Sequence, residues 1–379
     1  LRLGFVMKHK WSIGLMTGTV NDGFIDVAAL KTDGHKIIEY GPFELIPYQD
    51  KHIQSKIIET VKAAKKWQFD NKEPAIFAET EKLISLEQSE AVNKFIHKFN
   101  IKRDDISCVG FHGLTVLHKA PLGDIEGKTK QLGDGNLMAN YLKIPVVNDF
   151  RSNDMLNGGQ GAPLAPIYHL ALSKYINKKN IIILNIGGVS NITYIGEDDM
   201  LIAFDTGPGN APINDFVSKN NSGHMDINGD FAAKGSINLD FINSFLSHPY
   251  FDLNYPKSLD RDQFSYDQVH EMSLEDGCAT LTKLIGENIS KAIKLLPKKP
   301  ECIIASGGGR KNLSIMKAIR ESTNIECENI EKYGLSGDAI EAEAFAFLAV
   351  RSLKNLPLSF PTTTGVTKPL TGGKINRLH

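Results

Sequence analysis

Two stretches about half a chain apart read alike, and that near-repeat constrains the fold more than any other feature. Leu15-Met16-Thr17-Gly18-Thr19-Val20-Asn21-Asp22 can be laid over Leu184-Asn185-Ile186-Gly187-Gly188-Val189-Ser190-Asn191. Each reads as a strand, a hairpin of small residues and a second strand. Duplication into two related domains produces such an offset. Glycine hairpins are common, so the match needs support, and length supplies it. At 379 residues the chain exceeds the roughly 250–300 at which a single core stops growing.

The segments between alternate in kind. Stretches 11–16, 24–30, 36–46, 106–111, 145–148, 181–186, 192–195, 201–204 and 302–305 read as strands. Stretches 53–66, 73–99, 135–142, 211–219, 239–246, 274–295, 311–320 and 339–353 read as helices. This is an α/β chain. Hydrophobic residues at 41% and charged residues at 23% exclude disorder, collagen and a coiled coil. With 43 Lys and Arg against 44 Asp and Glu, a wholly basic nucleic-acid-binding surface is excluded. The longest apolar run, 344–350, is far too short for a membrane helix. Residues 1–10 lack the apolar core of a signal peptide, and Met7 is a second candidate start. Cys108, Cys278, Cys302 and Cys327 form no CxxC, which predicts buried thiols in a reducing cytoplasm.

No P-loop, HExxH, GxSxG or GxGxxG signature occurs. What remains is a set of short loops, each with a plain alternative. Thr17-Gly18-Thr19-Val20-Asn21-Asp22-Gly23, leading into Phe24, is a candidate phosphate hairpin. Its glycines admit backbone N–H groups to anionic oxygens, its threonines add donors, and Asp22 is placed for Mg²⁺ through water. The alternative is an ordinary β-hairpin. Asp205-Thr206-Gly207-Pro208-Gly209-Asn210 reads as an acid at a strand end, a tight turn and a helix start. Asp205 is then either a base beside phosphate-facing N–H groups or an N-cap.

Gly307-Gly308-Gly309 is either a surface for a flat ligand such as adenine or a flexible connection. Asn157 to Pro163 is a hinge, a sugar-contact loop or plain surface. Asp149 and Arg151 form a carboxylate- or hydroxyl-binding pair or a surface ion pair. His112 follows a buried strand, where α/β active sites lie, or is a structural histidine. Glu341 opens a helix, where a carboxylate also complements the helix dipole.

In this order and combination the segments resemble the anhydro-N-acetylmuramic acid kinase family, within the superfamily of acetate and sugar kinases, heat-shock chaperones and actin. The matching residues are Gly14 to Thr19 with Asp22-Gly23 and Asp26-Val27; His112-Gly113 with Thr115; Gln131-Leu132-Gly133-Asp134; and Val147 to Arg151. Further along come Gly158 to Pro166, Leu184 to Asn191, Asp205 to Asn210, Pro256-Lys257-Ser258, Gly307 to Gly309, and Glu341 with Ala344-Phe345-Ala346. Four places depart from the family, and at the first Thr17 replaces Ser conservatively. Val20-Asn21 replaces Ser-Leu and removes a hydroxyl, Leu114 replaces Gln and removes an amide, and Ser152-Asn153 follows Arg151 in place of further arginine.

The resemblance implies two lobes of the actin-like ATPase (ribonuclease H-like) fold, with the active site in a cleft between them. Residues 1–149 with the tail 367–379 would form one lobe and 150–366 the other. It implies an ATP- and Mg²⁺-dependent enzyme of cell-wall recycling, cytoplasmic and homodimeric. Water opens the anhydro bond of 1,6-anhydro-N-acetylmuramic acid and O6 takes the γ-phosphate. Asp205 would be the base and Glu341 would place the water. Residues 17–24 and Gly187-Gly188, with Gly207 and Gly209, would face phosphate, and Gly307 to Gly309 the adenosine. His112, Thr115, Asp149 and Arg151 would line the sugar side. The other readings are a different sugar kinase of the superfamily and an actin- or chaperone-like ATPase switch.

Overall fold

The computed structural model describes residues 9–17, 23–70, 72–121, 123, 125–259 and 263–378. Gly18, Thr19, Val20, Asn21 and Asp22 of the first hairpin lie outside them. The chain opens with a meander, β1 (Trp11–Met16), β2 (Phe24–Thr32) and β3 (Ile37–Pro47). Helices α1 (Ile53–Trp67) and α2 (Ile76–Lys98) follow. Helix α1 buries Ile53, Ile57, Thr60 and Ala64, a stripe at helical spacing. Then come β4 (Ile106–Phe111), β5 (Leu114–Lys119), β6 (Lys128–Leu132), α3 (Gly135–Leu142), β7 (Val146–Asn148), α4 (Ser152–Leu156) and α5 (Pro166–Tyr175). Asp134 starts α3 by accepting the Leu137 N–H at 3.0 Å.

A second meander follows: β8 (Ile181–Ile186), β9 (Val189–Ile195) and β10 (Leu201–Pro208). After it come α6 (Ala211–Lys219), α7 (Leu239–Leu246), α8 (Leu274–Ile293), β11 (Cys302–Ser306), α9 (Leu313–Thr323) and β12 (Glu326–Asn329). Helix α10 (Ile340–Leu353) and β13 (Lys374–Asn376) close the chain.

These elements gather into two compact units, residues 1–175 with 339–379 and residues 176–338. In the first unit the sheet runs β3-β2-β1-β4-β7-β13. In the second it runs β10-β9-β8-β11-β12. Both are antiparallel through the meander and parallel where the fourth and fifth strands join. Each thus carries the mixed sheet of the ribonuclease H-like, actin-like ATPase fold, and the near-repeat of the sequence is a repeat of topology.

The boundary between the units differs from the sequence expectation of 149/150 and 366/367. Helix α10 packs on β1, β2 and β4, and α5 packs on β3 and α10. Those contacts assign residues 150–175 and 339–366 to the first sheet. Packing against β1 and β4 is flush. A Cβ on Gly14 would lie 1.8 Å from the Ala342 carbonyl oxygen, and one on Gly110 would lie 2.1 Å from that of Phe345. Ser12 Oγ donates across the same contact to the Ala346 carbonyl at 2.7 Å.

The opposite face of this sheet carries the core of Ile13, Leu15, Val27, Phe95 and Val109. In the second unit Leu184, Phe204, Phe216, Leu281, Ile285 and Ile303 form the core under α6, α8 and α9. All four cysteines are buried and free, as their spacing predicts. Among the described residues no helix is long and apolar enough to cross a membrane.

Candidate functional site

The candidate residues fall into two groups, one in each unit. In the first, β4 ends at Phe111 and the chain turns through His112 and Gly113 into β5. His112 is buried. Its Nδ1 lies 2.8 Å from the Gly113 carbonyl, and its Nε2 lies 3.1 Å from Arg151 Nη2. A carbonyl only accepts and a guanidinium only donates, so these partners assign the neutral Nδ1–H tautomer. Burial, then the adjacent guanidinium, push the imidazole down to about 3.

Arg151 Nη1 donates to the Gly161 carbonyl at 2.8 Å. Arg151 is therefore no surface ion pair; it joins His112 to the Gly-rich segment. That segment is fixed by buried Asp154, which accepts from the Gly161 N–H at 2.7 Å and from Thr364 Oγ1 at 2.6 Å. Thr17, the last described residue of the first hairpin before its undescribed part, donates its hydroxyl to the Gly113 carbonyl at 3.0 Å. Its proton is committed to backbone, whereas the sequence expectation was a donor to phosphate.

Thr115 lies opposite Gln131 in the β5–β6 hairpin. Gln131 Nε2 donates to Thr115 Oγ1 at 3.1 Å and to the His112 carbonyl at 3.3 Å. Sequence reasoning cited Gln131 without giving it a part. The signal was the alternation of 114–119, which pairs with 128–132 once a hairpin is recognised. The missing amide at Leu114 also has an explanation, because that side chain faces the core and is buried. Among the described residues Gln131 Oε1 and Arg151 Nε are buried without a hydrogen-bond partner. They are an acceptor and a donor that a polar ligand would satisfy.

Asp149 is not brought into this group by a hydrogen bond; its Oδ1 accepts from Ser152 Oγ. Glu341 lies in the first turn of α10 and keeps exposed surface. The protein around it raises its carboxyl, and Arg151 draws it back down.

The second unit holds Asp205, and here the structure differs from the sequence expectation. Asp205 is not at a strand end, because β10 continues through Thr206 and Gly207 to Pro208 with an irregularity after Asp205. Nor is it an N-cap; that position of α6 belongs to Asn210. Gly207 and Pro208 are strand residues because they pair with Ser190 and Val189 of β9. Asp205 Oδ2 accepts the Leu259 N–H at 2.8 Å, its own N–H donates to the Lys257 carbonyl at 3.0 Å, and its carbonyl accepts the Tyr250 hydroxyl at 2.7 Å. The side chain keeps some exposed surface, yet desolvation pushes its carboxyl up to about 7, and the Leu259 bond only partly offsets this.

The two glycine loops beside it are tied together. The Gly209 N–H donates to the Gly188 carbonyl at 3.0 Å and the Asn210 N–H to that of Gly187 at 2.8 Å. Gly307 has φ +75°, and a Cβ there would lie 2.2 Å from Asn185 Oδ1, so only glycine fits. At Gly308 the nearest atom to such a Cβ is 3.6 Å away. A short 3-10 turn at Gly308–Lys311 then leads to Asn312, which caps α9; the helix starts later than the sequence predicts. Arg310 anchors this loop. It bonds Glu331 Oε1 through Nε at 2.9 Å and Nη2 at 2.6 Å, and reaches both Asp338 Oδ1 and the Gly307 carbonyl through Nη1 at 2.9 Å. Its carboxylate partners lie 21 and 28 residues away, so no local pattern signals them. Among the described residues no group of three or more His, Cys, Asp or Glu could hold a metal ion. Asp22, the one candidate, lies outside them.

The family model described as anhydro-N-acetylmuramic acid kinase matches residues 10–377. The protein of that name from Brucella anthropi is 48% identical over 370 residues, covering 97% of this chain and 100% of its own. Those from Rhizobium rhizogenes and Mesorhizobium japonicum are 47% and 46% identical over 370 residues, with the same coverage.

Proposed function

The chain belongs to the anhydro-N-acetylmuramic acid kinase family, and on that premise we propose that it converts 1,6-anhydro-N-acetylmuramic acid, water and ATP into N-acetylmuramic acid 6-phosphate and ADP. It is an ATP-using kinase acting on a small sugar, and its place is in the recycling of cell-wall peptidoglycan. A cytoplasmic location and a homodimer belong to the same reading.

One observation carries the chemistry: the carboxyl of Asp205 is raised to about 7 and held by a single backbone N–H. A general base works best with a pKa near the working pH. Asp205 takes a proton from water as its oxygen bonds to C1. The C1–O6 bond breaks, and O6 takes the γ-phosphoryl group from ATP. Phosphoryl transfer captures the charge on O6, so no second carboxyl is needed to protonate it, unlike in ordinary inverting glycosidases. Glu341 orients the water.

On the sugar side His112 acts as a positioning residue. A ring held down to about 3 is uncharged at neutral pH, with its one proton on Nδ1; Nε2 accepts from Arg151 and aims the guanidinium. Arg151 and Thr115 bind the sugar, with Asp149 contributing a hydroxyl acceptor. Gly187, Gly188, Gly207 and Gly209 offer backbone to phosphate, and Gly307 to Gly309 to adenosine. Residues 17–24 serve the γ-phosphate, and Asp22 serves Mg²⁺ through water, which would neutralise phosphate charge.

The test is Asp205→Asn. ADP formation with the anhydrosugar should fall by about 10³-fold or more, with ATP binding retained. In the wild type kcat should fall as pH drops through about 7, because the protonated carboxyl cannot accept. Turnover by the Asn variant near the wild-type rate would sink the assignment. Product formed in ¹⁸O-water must carry the label at C1, which phosphorylation of an ordinary hydroxyl would not produce.

A further inference from the structure

Pro256-Lys257-Ser258 matches the family and has no part in the reading above. Lys257 is 5% exposed, and a lysine so buried normally meets a carboxylate. Here Nζ donates instead to the main-chain carbonyls of Tyr250 at 3.0 Å and Phe251 at 3.5 Å. It lies 4.8 Å from the ring centre of Tyr250 and 5.6 Å from that of Phe204. Asp252 favours its charge but is itself paired with Lys291 at 2.9 Å.

The residues Lys257 ties together are those that hold Asp205. The Tyr250 hydroxyl reaches the Asp205 carbonyl, the Lys257 carbonyl accepts the Asp205 N–H, and the Leu259 N–H meets the carboxylate. Residues 250–259 therefore wrap the strand at Asp205, and the ammonium links the start of the wrap to its end. We infer that Lys257 is a positioning residue for Asp205, closing this strap so that the Leu259 N–H stays aimed at the carboxylate. The inference rests on Asp205 being the base. The Tyr250 carbonyl also accepts the Leu253 N–H at 3.2 Å, but the bonds from the ammonium are charge-assisted and stronger than that neutral one. A neutral side chain at 257 releases both ends, and a misplacement of about 1 Å at a reacting group costs about 10²-fold in rate.

The experiment compares Lys257→Met, Lys257→Arg, Tyr250→Phe and Asp205→Asn in the full chain by steady-state kinetics across pH and by calorimetric ATP titration. Lys257→Met keeps the apolar stem and removes the donor. Its kcat should fall about 10–100-fold with ATP affinity unchanged. The acid limb of kcat should move to higher pH, because the Leu259 N–H bond that holds the carboxyl down is lost when the strap opens. Lys257→Arg, still a charged donor, should recover part of kcat, and Tyr250→Phe should give a smaller loss with the limb moved the same way. A Lys257→Met enzyme with wild-type kcat and acid limb overturns the inference, as does equal loss of kcat and ATP affinity with the limb unmoved. If Lys257→Met does not fold, Tyr250→Phe decides, and a wild-type profile there overturns it. An active Asp205→Asn enzyme would refute the base assignment itself, whereas an inactive one beside an unaffected Lys257→Met refutes only the strap.

Discussion

At matching positions of the two sheets the first unit has Gly14 and Gly110, paired in register, where the second has Ile183 and Ile304. One strand order thus supports two kinds of packing. Glycine lets the backbone of α10 lie directly on β1 and β4, and that close approach sets the height of the helix whose first turn carries Glu341. The second unit fills the same positions with large buried side chains. Its distinctive residue, Asp205, comes from a strand whose ladder is interrupted beside it. The duplicated sheet is a common frame. At these positions the units differ in the volume of two residues, and in the second unit Asp205 stands at an irregularity of its ladder.

The largest effect should come from filling the flush contact. Gly14→Val places methyl groups into the backbone of α10, where no side chain can move aside, and should cost about 3 kcal/mol or more. Ile183→Val in the second unit deletes one methylene and should cost about 1 kcal/mol. Denaturant titration of both variants checks the contrast, and equal costs would break it.

Next in size is Arg151→Ala, which removes the guanidinium that His112 and Gly161 hold. It should lower kcat/KM for the anhydrosugar by about 100-fold, the loss expected from a charged hydrogen-bonding group. ATP affinity should not change, since Arg151 bonds His112 and Gly161 and the glycine loops at 187–188, 207–209 and 307–309 belong to the other unit. A weakened ATP affinity would contradict that division of labour.

The two glycines of the adenosine loop give a finer test. Gly308→Ala meets only an ordinary contact, with Asn210 Nδ2 at 3.6 Å, and should leave the melting temperature unchanged while raising KM for ATP several-fold, whereas Gly307→Ala should lower both stability and ATP affinity. An unchanged KM in Gly308→Ala would remove the loop from the nucleotide site.

The smallest effect concerns two carboxyls, one in each unit. Asp205 and the buried Glu343, which accepts from the Tyr168 hydroxyl, are both raised to about 7 by burial. A carboxyl raised above its unfolded value favours folding when protonated, so its contribution is present at low pH and lost as pH rises through about 7. Asp205→Asn and Glu343→Gln should therefore raise the melting temperature more at pH 8 than at pH 5. The reverse order in a thermal scan would refute the burial assigned to them.

Much of this was legible along the chain. Strands β1, β4 and β8 and helices α3, α6 and α7 were predicted with the bounds they have, because buried runs and helical spacing are local signals. The duplicated hairpins, the α/β class and the family were legible from the same residues. The hairpin of β5 and β6, the edge strands β12 and β13, and the short α4 were not, since each is held by neighbours distant in sequence. The Leu114 departure looked like a lost site amide and proved to be a core residue. The Gly-Pro-Gly run looked like a turn, and its first two residues proved to be strand, because β9 pairs with them.

By itself the sequence determined which residue types stand ready: an aspartate among tight-turn residues, glycines without side chains, a histidine beyond a buried strand. Only the tertiary structure decided their states. Burial sets Asp205 near neutrality and keeps the His112 ring uncharged, and both are sums over atoms that the chain brings together from far apart. The ties of Lys257 to Tyr250 and of Arg310 to Glu331 depend on how segments meet in space, which spacing along the chain does not encode.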